Sequence, residues 1–506
     1  MNANLYALFR SRFPDDLDDC WIETADAHYY SWRDLERGSA KIANLLASLD
    51  LPAGSRVAAQ VEKSPEALML YLATVRAGFV YLPLNTAYRA AEMSYFIENA
   101  SPAVVVCTPE NFGWLSQIAF KNGSDHVFTL DEPRNGRNSG SLLSRAATQS
   151  DEFNTVHRDL DDLAAILYTS GTTGRSKGAM LSHGNLAANI TVLHKAWHWQ
   201  TGDVLLHALP LFHIHGLFVA AHGALMNGSK MIFLSKFDSA SVIRHLPRST
   251  IFMGVPTYYV RLLSDATFNR EVCKNIRLFV SGSAPLLTET FDDFKQLTGH
   301  TILERYGMSE TGMLTSNPYD GERKAGTVGP ALAGVSVRVV STQGAECAVD
   351  EIGDIQVKGP NVFQGYWQMP EKTAEEFTED GYFKTGDVGR MDSEGYISIV
   401  GRSKDLIISG GYNVYPKEIE SVIDELHGVF ESAVIGIAHP DFGEAVTAVI
   451  VPRDGSQLSE ADIIASLKEK IANFKVPKRV YVIHELPRNT MGKVQKNLLR
   501  EQFSTH

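Results

Sequence analysis

The segment from Tyr168 to Gly178 reads YTSGTTGRSKG and closes the apolar run AAILYT. Eight of the ten residues from Thr169 to Gly178 are glycine, serine or threonine, and Lys177 adds a cation. Gly171 and Gly174 permit close backbone approach to a ligand. Hydroxyls from Thr169, Ser170, Thr172 and Thr173, backbone N–H groups and the Lys177 ammonium together suit a polyphosphate. The G-x-x-x-x-G-K-[ST] pattern is absent, so this is a different phosphate loop. A flexible surface turn of the same composition is the plain alternative.

More chemistry-bearing residues follow downstream. Glu310 closes the run YGMSE. A carboxylate there suits magnesium, which takes carboxylate and phosphate oxygens; a helix-start carboxylate is the alternative. Asp387 in TGD suits a pair of ribose hydroxyls, although T-G-D alone also reads as a self-capped turn. Lys493 lies in PRNTMGK, and by itself would be solvated surface. His213 and His215 form an H-x-H pair in LPLFHIHGL. Zinc is a poor reading because no third ligand is marked nearby; a buried, hydrogen-bonded histidine is the ordinary one.

Taken together these segments resemble the adenylate-forming superfamily, which includes acyl-CoA synthetases. The motifs are YTSGTTGRSKG, SGSAP (281–285), ERYGMSET (304–311), YFKTGD (382–387), GRSKDLIISGGYNVYPKEIE (401–420) and PRNTMGK (487–493). They occur in the family's order over more than 300 residues. The resemblance implies ATP as co-substrate, Mg2+ as cofactor, and an acyl-adenylate that passes to coenzyme A. It implies that the 169–177 loop, Gly282, Ser283, Ala284, Pro285, Glu304, Tyr306, Gly307, Met308 and Ser309 line the nucleotide, with Tyr306 on adenine. Ser309 replaces the family's usual threonine and keeps the hydroxyl. Asp387 and Arg402 would hold the ribose, Glu310 the Mg2+, and Lys493 the carboxylate and α-phosphate during adenylation. His213 would stand between the acyl pocket and the thiol's route, Lys404 at the hinge of a mobile C-terminal domain, and Gly410 and Gly411 in the CoA channel. The bland reading of Gly410-Gly411 is a hairpin turn.

The acyl pocket carries a further signal. Arg305 directly precedes Tyr306, and Arg261 lies in VPTYYVR. Guanidinium groups suit a second carboxylate better than an alkyl chain. Arg261, Ser283, Arg305 and Met308 are the expected acyl-site residues. An ion pair of Arg305 with Glu304 or another acid, and a surface position for Arg261, are the competing expectations. The local patterns GVPTYYVRLL, LERYGMSET and TSNPYDGERKAGTVGPAL resemble malonyl-CoA synthetases. That implies malonate, with methylmalonate second; oxalate and succinate are the alternatives. Only 13 residues follow Lys493, which favours free coenzyme A over a fused carrier domain. A binding protein that has lost catalysis is disfavoured by the full set Glu310, Asp387, Arg402 and Lys493.

The elements that must position these groups read as α/β. SPEALMLYLATVRAG then FVYLPLN, and AEMSYFIENA then AVVVC, alternate helix and strand, as STIFMG and IRLFVS do with their following helices. Such alternation predicts layered sheets with parallel strands. After about residue 330 short strands crowd together between glycines, which predicts hairpins, and a small α+β unit follows. The expected division is a large multi-subdomain N-terminal domain, 1–403, and a small mobile domain, 404–506. The length of 506 residues requires several cores. The net charge of -12 argues against a nucleic-acid binder. The four cysteines are scattered without metal or redox spacing, which predicts a reducing, cytoplasmic setting. No leader is expected. The apolar stretch Leu211 to Met226 is broken by three histidines and predicts a buried helix, not a membrane span.

Overall fold

The computed structural model describes residues 2–131, 140–169, 176–409, 412–439, 443–489 and 492–504. Their strands form four sheets.

The helix–strand alternation at 64–107 folds as expected. Ser64 caps the helix Pro65–Arg76 by accepting from Ala67 N, with proline at the start where no N–H is needed. All twelve residues of this helix are buried, because it is packed on every side. The strands Val80–Pro83 and Val104–Cys107 are likewise buried throughout. Continuous apolar strands of this kind belong inside parallel sheets covered on both faces. They pair in parallel with Arg56–Gln60 in a six-stranded sheet. The sheet ends in the antiparallel hairpin of Leu163–Thr169 and Lys177–Ser182, in which Thr169 faces Lys177.

An eight-stranded sheet lies beside it. Its inner strands Lys230–Phe233, Val204–His207, Ile251–Gly254, Leu278–Ser281 and Leu303–Met308 run parallel. The outer pairs, Cys20–Thr24 with Tyr29–Ser31 and Leu303–Met308 with Gly312–Ser316, are antiparallel. One apolar cluster joins the two large sheets, with Leu72, Val106, Ala165, Leu205, Met253 and Val280 among its members. Parallel strands end on a common edge, and their carboxyl ends are the usual place for a ligand in such sheets. Here that edge carries His207, Gly254, Ser281 and the segments that follow each.

The hairpin-rich region is a four-stranded antiparallel sheet of Ser336–Val340, Gly353–Lys358, Phe383–Met391 and Ile397–Arg402. Beyond the short 3-10 helix Ser403–Asp405, a five-stranded sheet packs on the helices Pro416–Asp424 and Glu460–Lys470. This C-terminal unit has its own apolar clusters, one around Ile419, Val434, Val446 and Leu467. The stretch Leu211 to Met226 is helical from His215 onward: a π-helix at His215–Ala221 leads into the α-helix His222–Asn227. His215 through Met226 are all buried. Among the described residues, no helix is long and apolar enough to cross a membrane.

Candidate active site

Asp387, Arg402 and Tyr306, expected from sequence at a nucleotide, meet where the four-stranded sheet approaches the Leu303–Met308 hairpin. Asp387 and Arg402 are register partners on neighbouring antiparallel strands. Arg402 Nε lies 2.7 Å from Asp387 Oδ1. The Tyr306 hydroxyl donates to the other Asp387 oxygen. The ring of Tyr306 is therefore anchored by its hydroxyl and packs, half-buried, against the main apolar cluster. Asp387 itself is 4% exposed, and its N–H donates to Thr385 Oγ1 at 3.0 Å. The self-capped turn of the plain T-G-D reading does not form: Thr385–Asp387 are a bulged part of the strand Phe383–Met391, and the carboxylate is compatible with the ribose role, since each of its oxygens can accept twice.

Glu310 is in a hairpin turn between the strands Leu303–Met308 and Gly312–Ser316. The helix start considered from sequence does not form. Glu310 is buried, and burial raises its pKa. Its Oε1 accepts from the Tyr366 hydroxyl at 3.0 Å, and among the described residues no cation forms an ion pair with it. A buried carboxylate so placed suits a hard cation together with phosphate oxygens. Lys177, opposite Thr169, lies 4.0 Å above the Tyr366 ring and 3.5 Å from Glu376. Tyr366 and Glu376 thus join the site; nothing in their sequence surroundings marks them. Ser170, Gly171, Thr172, Thr173 and Gly174 lie outside the described residues, as do Gly410 and Gly411.

Lys493 comes to this place from the C-terminal unit. The loop that carries it is closed by Asn489, whose N–H donates to Lys493 O while its Oδ1 accepts from Lys493 N, both at 2.9 Å. Lys493 keeps solvent contact in the cleft, yet partial burial and the charge of Arg402 press its pKa down to about 8. Asp387 works the other way. His213 is neighbour to Lys493 and Arg305, and burial with those charges lowers its pKa to about 4. Its Nδ1 accepts from the backbone N–H of His215 at 3.3 Å. A backbone N–H only donates, so the neutral His213 carries its proton on Nε2.

The acyl-site expectations divide. Arg305 is 3% exposed, and its Nε and Nη2 have no hydrogen-bond partner among the described residues. Glu304 is the preceding residue on the same strand, so its side chain points to the opposite face. It accepts from Leu286 N at 3.2 Å, and burial raises its pKa to about 8. The Glu304–Arg305 ion pair considered above does not form. Burial lowers the Arg305 pKa to about 9, which still leaves a cation at neutral pH. Its guanidinium packs on Gly282, where an added Cβ would stand 2.5 Å from Cζ. Ser283, at φ +73°, and Ala284 are half-buried in the same loop, with Pro285 exposed. Met308 and Ser309 are half-buried at the end of the Leu303–Met308 strand.

Arg261 departs from the expectation that two arginines converge. On the helix Pro256–Leu263 the core takes Tyr259 and Leu262. Thr257, Tyr258 and Arg261 share another face, at i, i+1 and i+4, and line a cleft of about 190 Å³ with Pro210, Arg488, Asn489 and Gly492. Arg261 is exposed at this cleft, unlike the buried Arg305. Among the described residues, no three of histidine, cysteine, aspartate and glutamate cluster as metal ligands, so the H-x-H pair gains no third ligand.

Gly282→Ala separates fold from function at this site. Gly282 has no positive φ, so alanine is tolerated by the backbone, and the displaced group is the mobile end of Arg305. Thermal stability is expected to change little, while kcat/KM for the cognate acid falls about tenfold or more, the scale of a misplaced charged contact. Unfolding midpoints and steady-state kinetics on the same preparation check this. An unchanged kcat/KM would separate Arg305 from the substrate.

Comparison with known proteins completes the picture. Residues 12–367 match the AMP-binding enzyme family, and residues 418–493 match the AMP-binding enzyme C-terminal domain. The chain is 34% identical to a malonate–CoA ligase of Arabidopsis thaliana, over 99% of this chain and 90% of that protein. The crystal structure of ATP-bound MatB from Rhodopseudomonas palustris is 54% identical and superposes with a TM-score of 0.96, covering 100% of this chain and 99% of that one. The apo structure of the same protein, at the same identity and coverage, gives 0.86. Equal identity with unequal likeness means that arrangement, not sequence, separates the two comparisons.

Proposed function

The chain belongs to the AMP-binding enzyme family, and we propose that within it the protein joins malonate to coenzyme A through a malonyl-adenylate, with AMP and pyrophosphate as the other products. The observation that carries the acid is Arg305: a buried guanidinium with unpartnered nitrogens, at the carboxyl end of a parallel sheet, with its neighbouring glutamate turned away. Such a group is costly unless an anion meets it. A monocarboxylate loses its only charge on adenylation. Malonate keeps one. The 34% and 54% identical relatives named above support the same acid; methylmalonate fits as a second substrate if the pocket admits one methyl.

In the first half-reaction a malonate carboxylate oxygen attacks the α-phosphorus of ATP, the bond to the β-phosphate oxygen breaks, and pyrophosphate leaves. Two anions must meet, so the site must neutralise charge. Lys493 would bridge the attacking carboxylate and the α-phosphate. Lys177 and the 170–175 loop would hold the outgoing phosphates. Tyr306 would support adenine, and Asp387 with Arg402 the ribose. Glu310 would hold Mg2+, which when bound neutralises phosphate charge. In the second half-reaction the CoA sulfur attacks the adenylate carbonyl, the bond to AMP breaks, and the thiol proton is lost. His213, with its proton on Nε2, would donate a hydrogen bond to an acyl oxygen. Arg261 serves the cleft mouth, where anionic substrates must pass.

We take the domain division at 403/404, with rotation about Lys404 exchanging the Lys493 loop for the segment around residues 410 and 411. The closer likeness to the ATP-bound relative supports an adenylation arrangement for the present structure. All four cysteines are free, which supports a reducing compartment such as the cytoplasm. Pyrophosphate release measured across short mono- and dicarboxylic acids, with and without coenzyme A, tests the assignment: malonate should lead. A lead for propionate or another monocarboxylate would overturn it.

Lys404→Pro tests the hinge. Proline fixes φ near about -65°, which the 3-10 helix Ser403–Asp405 comes near to satisfying but a rotated state need not. The overall reaction should slow more than isolated adenylation. Equal slowing of adenylation and of thioester formation from supplied malonyl-adenylate would remove the hinge from this position.

A further inference from the structure

We propose that His215 is a second recognition residue for the free carboxylate of the acid, presenting its Nε2–H beside the Arg305 guanidinium. This rests on the dicarboxylate reading above and adds a residue to it.

His215 is fully buried, and its Nε2 has no hydrogen-bond partner among the described residues. The same holds for Arg305 Nε and Nη2 and for Ser281 Oγ. Buried polar atoms in native proteins nearly always have partners. Here three residues with orphaned atoms come from adjoining segments at one sheet edge. Gly282, against which Arg305 packs, is followed by Ser283, whose Oγ is 3.3 Å from His215 Nδ1. Gly282 thus links Arg305 to the Ser283–His215 contact, and a ligand rich in acceptors held between these segments would satisfy the orphans together.

The imidazole is neutral. Burial and the nearby charge of Arg305 both disfavour its protonation, and His213 and His207 add to this. A neutral ring has one N–H. The Ser283 hydroxyl can donate to Nδ1 or accept from it; where it donates, the proton sits on Nε2 and Nε2–H is the unpartnered donor, the tautomer that an anion would select. The opposite tautomer would turn a lone pair toward an anion.

The ring is also held in place. His207 Nε2 lies 2.8 Å from Gly216 O, so it is the donor and His207 Nδ1 is the acceptor. That Nδ1 lies 2.8 Å from Lys63 Nζ, which also donates to His207 O at 2.8 Å. Lys63 is 7% exposed. A Cβ at Gly216 would stand 1.9 Å from Pro210 O, so the backbone directly after His215 is packed against another chain segment. Lys63 and His207 thus act as positioning residues for the turn that delivers His215, at the first residue of the π-helix His215–Ala221.

The test uses His215→Phe, which keeps a ring and removes the donor, and His215→Gln, which returns an N–H near the Nε2 position. kcat/KM for malonate and for propionate, and KM for ATP, are measured in the full-length enzyme. His215→Phe should lower malonate kcat/KM by about 10- to 100-fold, the range for a hydrogen bond to a charged group, chiefly through KM. Propionate should not fall in proportion, and His215→Gln should recover part of the loss. If His215→Phe does not fold, His215→Gln decides the matter, with a smaller malonate-selective loss expected relative to wild type. A parallel fall for both acids, or unchanged malonate kinetics, overturns the role of His215. If Arg305→Ala lowers malonate kcat/KM selectively in that case, the dicarboxylate reading stands; if it lowers both acids alike, that reading falls as well.

Discussion

Arg305→Ala is expected to lower kcat/KM for malonate by roughly 10²-fold or more, the scale of losing a charged contact of about 3 kcal/mol. The adenylate of malonate brings a carboxylate into a pocket whose protein walls exclude water. Left unpaired there, that charge costs several kcal/mol. Arg305 offers a planar fork whose Nε and Nη2 have no other partner among the described residues. Glu304 does not compete, because it faces the other side of the strand and its raised pKa of about 8 keeps it mostly protonated at neutral pH. Propionate has no second carboxylate, so wild type should use it poorly and Arg305→Ala should not lose it in proportion. Arg305→Lys should restore only part of the malonate activity, because an ammonium lacks the forked geometry. Arg261→Ala should change malonate kcat/KM by only about a few-fold, as expected of an exposed charge. The kinetics of both acids in all four enzymes, with ATP KM as control, check this. A parallel fall for malonate and propionate in Arg305→Ala would move the residue to folding or nucleotide binding.

The contrast between the two arginines shows where the sequence stops speaking. Both are cations in segments that resemble an acyl site, and residue type alone treats them alike. Strand alternation separates Glu304 from Arg305 once Leu303–Met308 is known to be a strand, so that part was within reach. The fate of Arg261 was not, because it depends on which ridge of Pro256–Leu263 packs inward, and that is set by partners far along the chain. His215 received no role of its own from sequence for a similar reason. From sequence it was half of an H-x-H pair; only the fold brings Ser283 to its Nδ1, from 68 residues away. Local periodicity sufficed for the helices and strands of 64–107 and for the hairpins after residue 330. It could not order the eight-stranded sheet, in which Cys20–Thr24 pairs with Lys230–Phe233. The turn at Glu310 was read as a possible helix start because acidic residues favour both places. Gly307 decides it: an added Cβ would stand 2.2 Å from Gly312 O, the close strand approach of a hairpin.

Lys493→Ala should abolish most adenylation, with a loss of about 10²-fold or more, the size expected when a group that stabilises developing charge is removed. It should spare thioester formation from supplied malonyl-adenylate. The reason is geometric. Lys493 lies with Asp387 and Arg402 in the present arrangement, carried there by a loop of the C-terminal unit. That loop rests on the acyl side of the cleft, where a Cβ at Gly492 would stand 3.2 Å from Thr257 Oγ1. On the proposed exchange of loops, the thiol takes the side of the adenylate that this loop covers, and the withdrawn lysine then has no work to do. The ammonium also makes a pH prediction. Its pKa is lowered to about 8, so the charged form prevails below that value and is lost as pH rises through it. The adenylation kcat/KM, which reports the free enzyme, should therefore fall above about pH 8 in wild type, and Lys493→Ala should lack that limb. In kcat the limb should move to higher pH, because bound ATP adds negative charge beside the ammonium and raises its pKa. Single-turnover adenylation and thioester formation, each followed across pH, separate the possibilities. If Lys493→Ala slowed both half-reactions equally, one domain arrangement would serve both steps and the exchange of loops would be wrong for this enzyme.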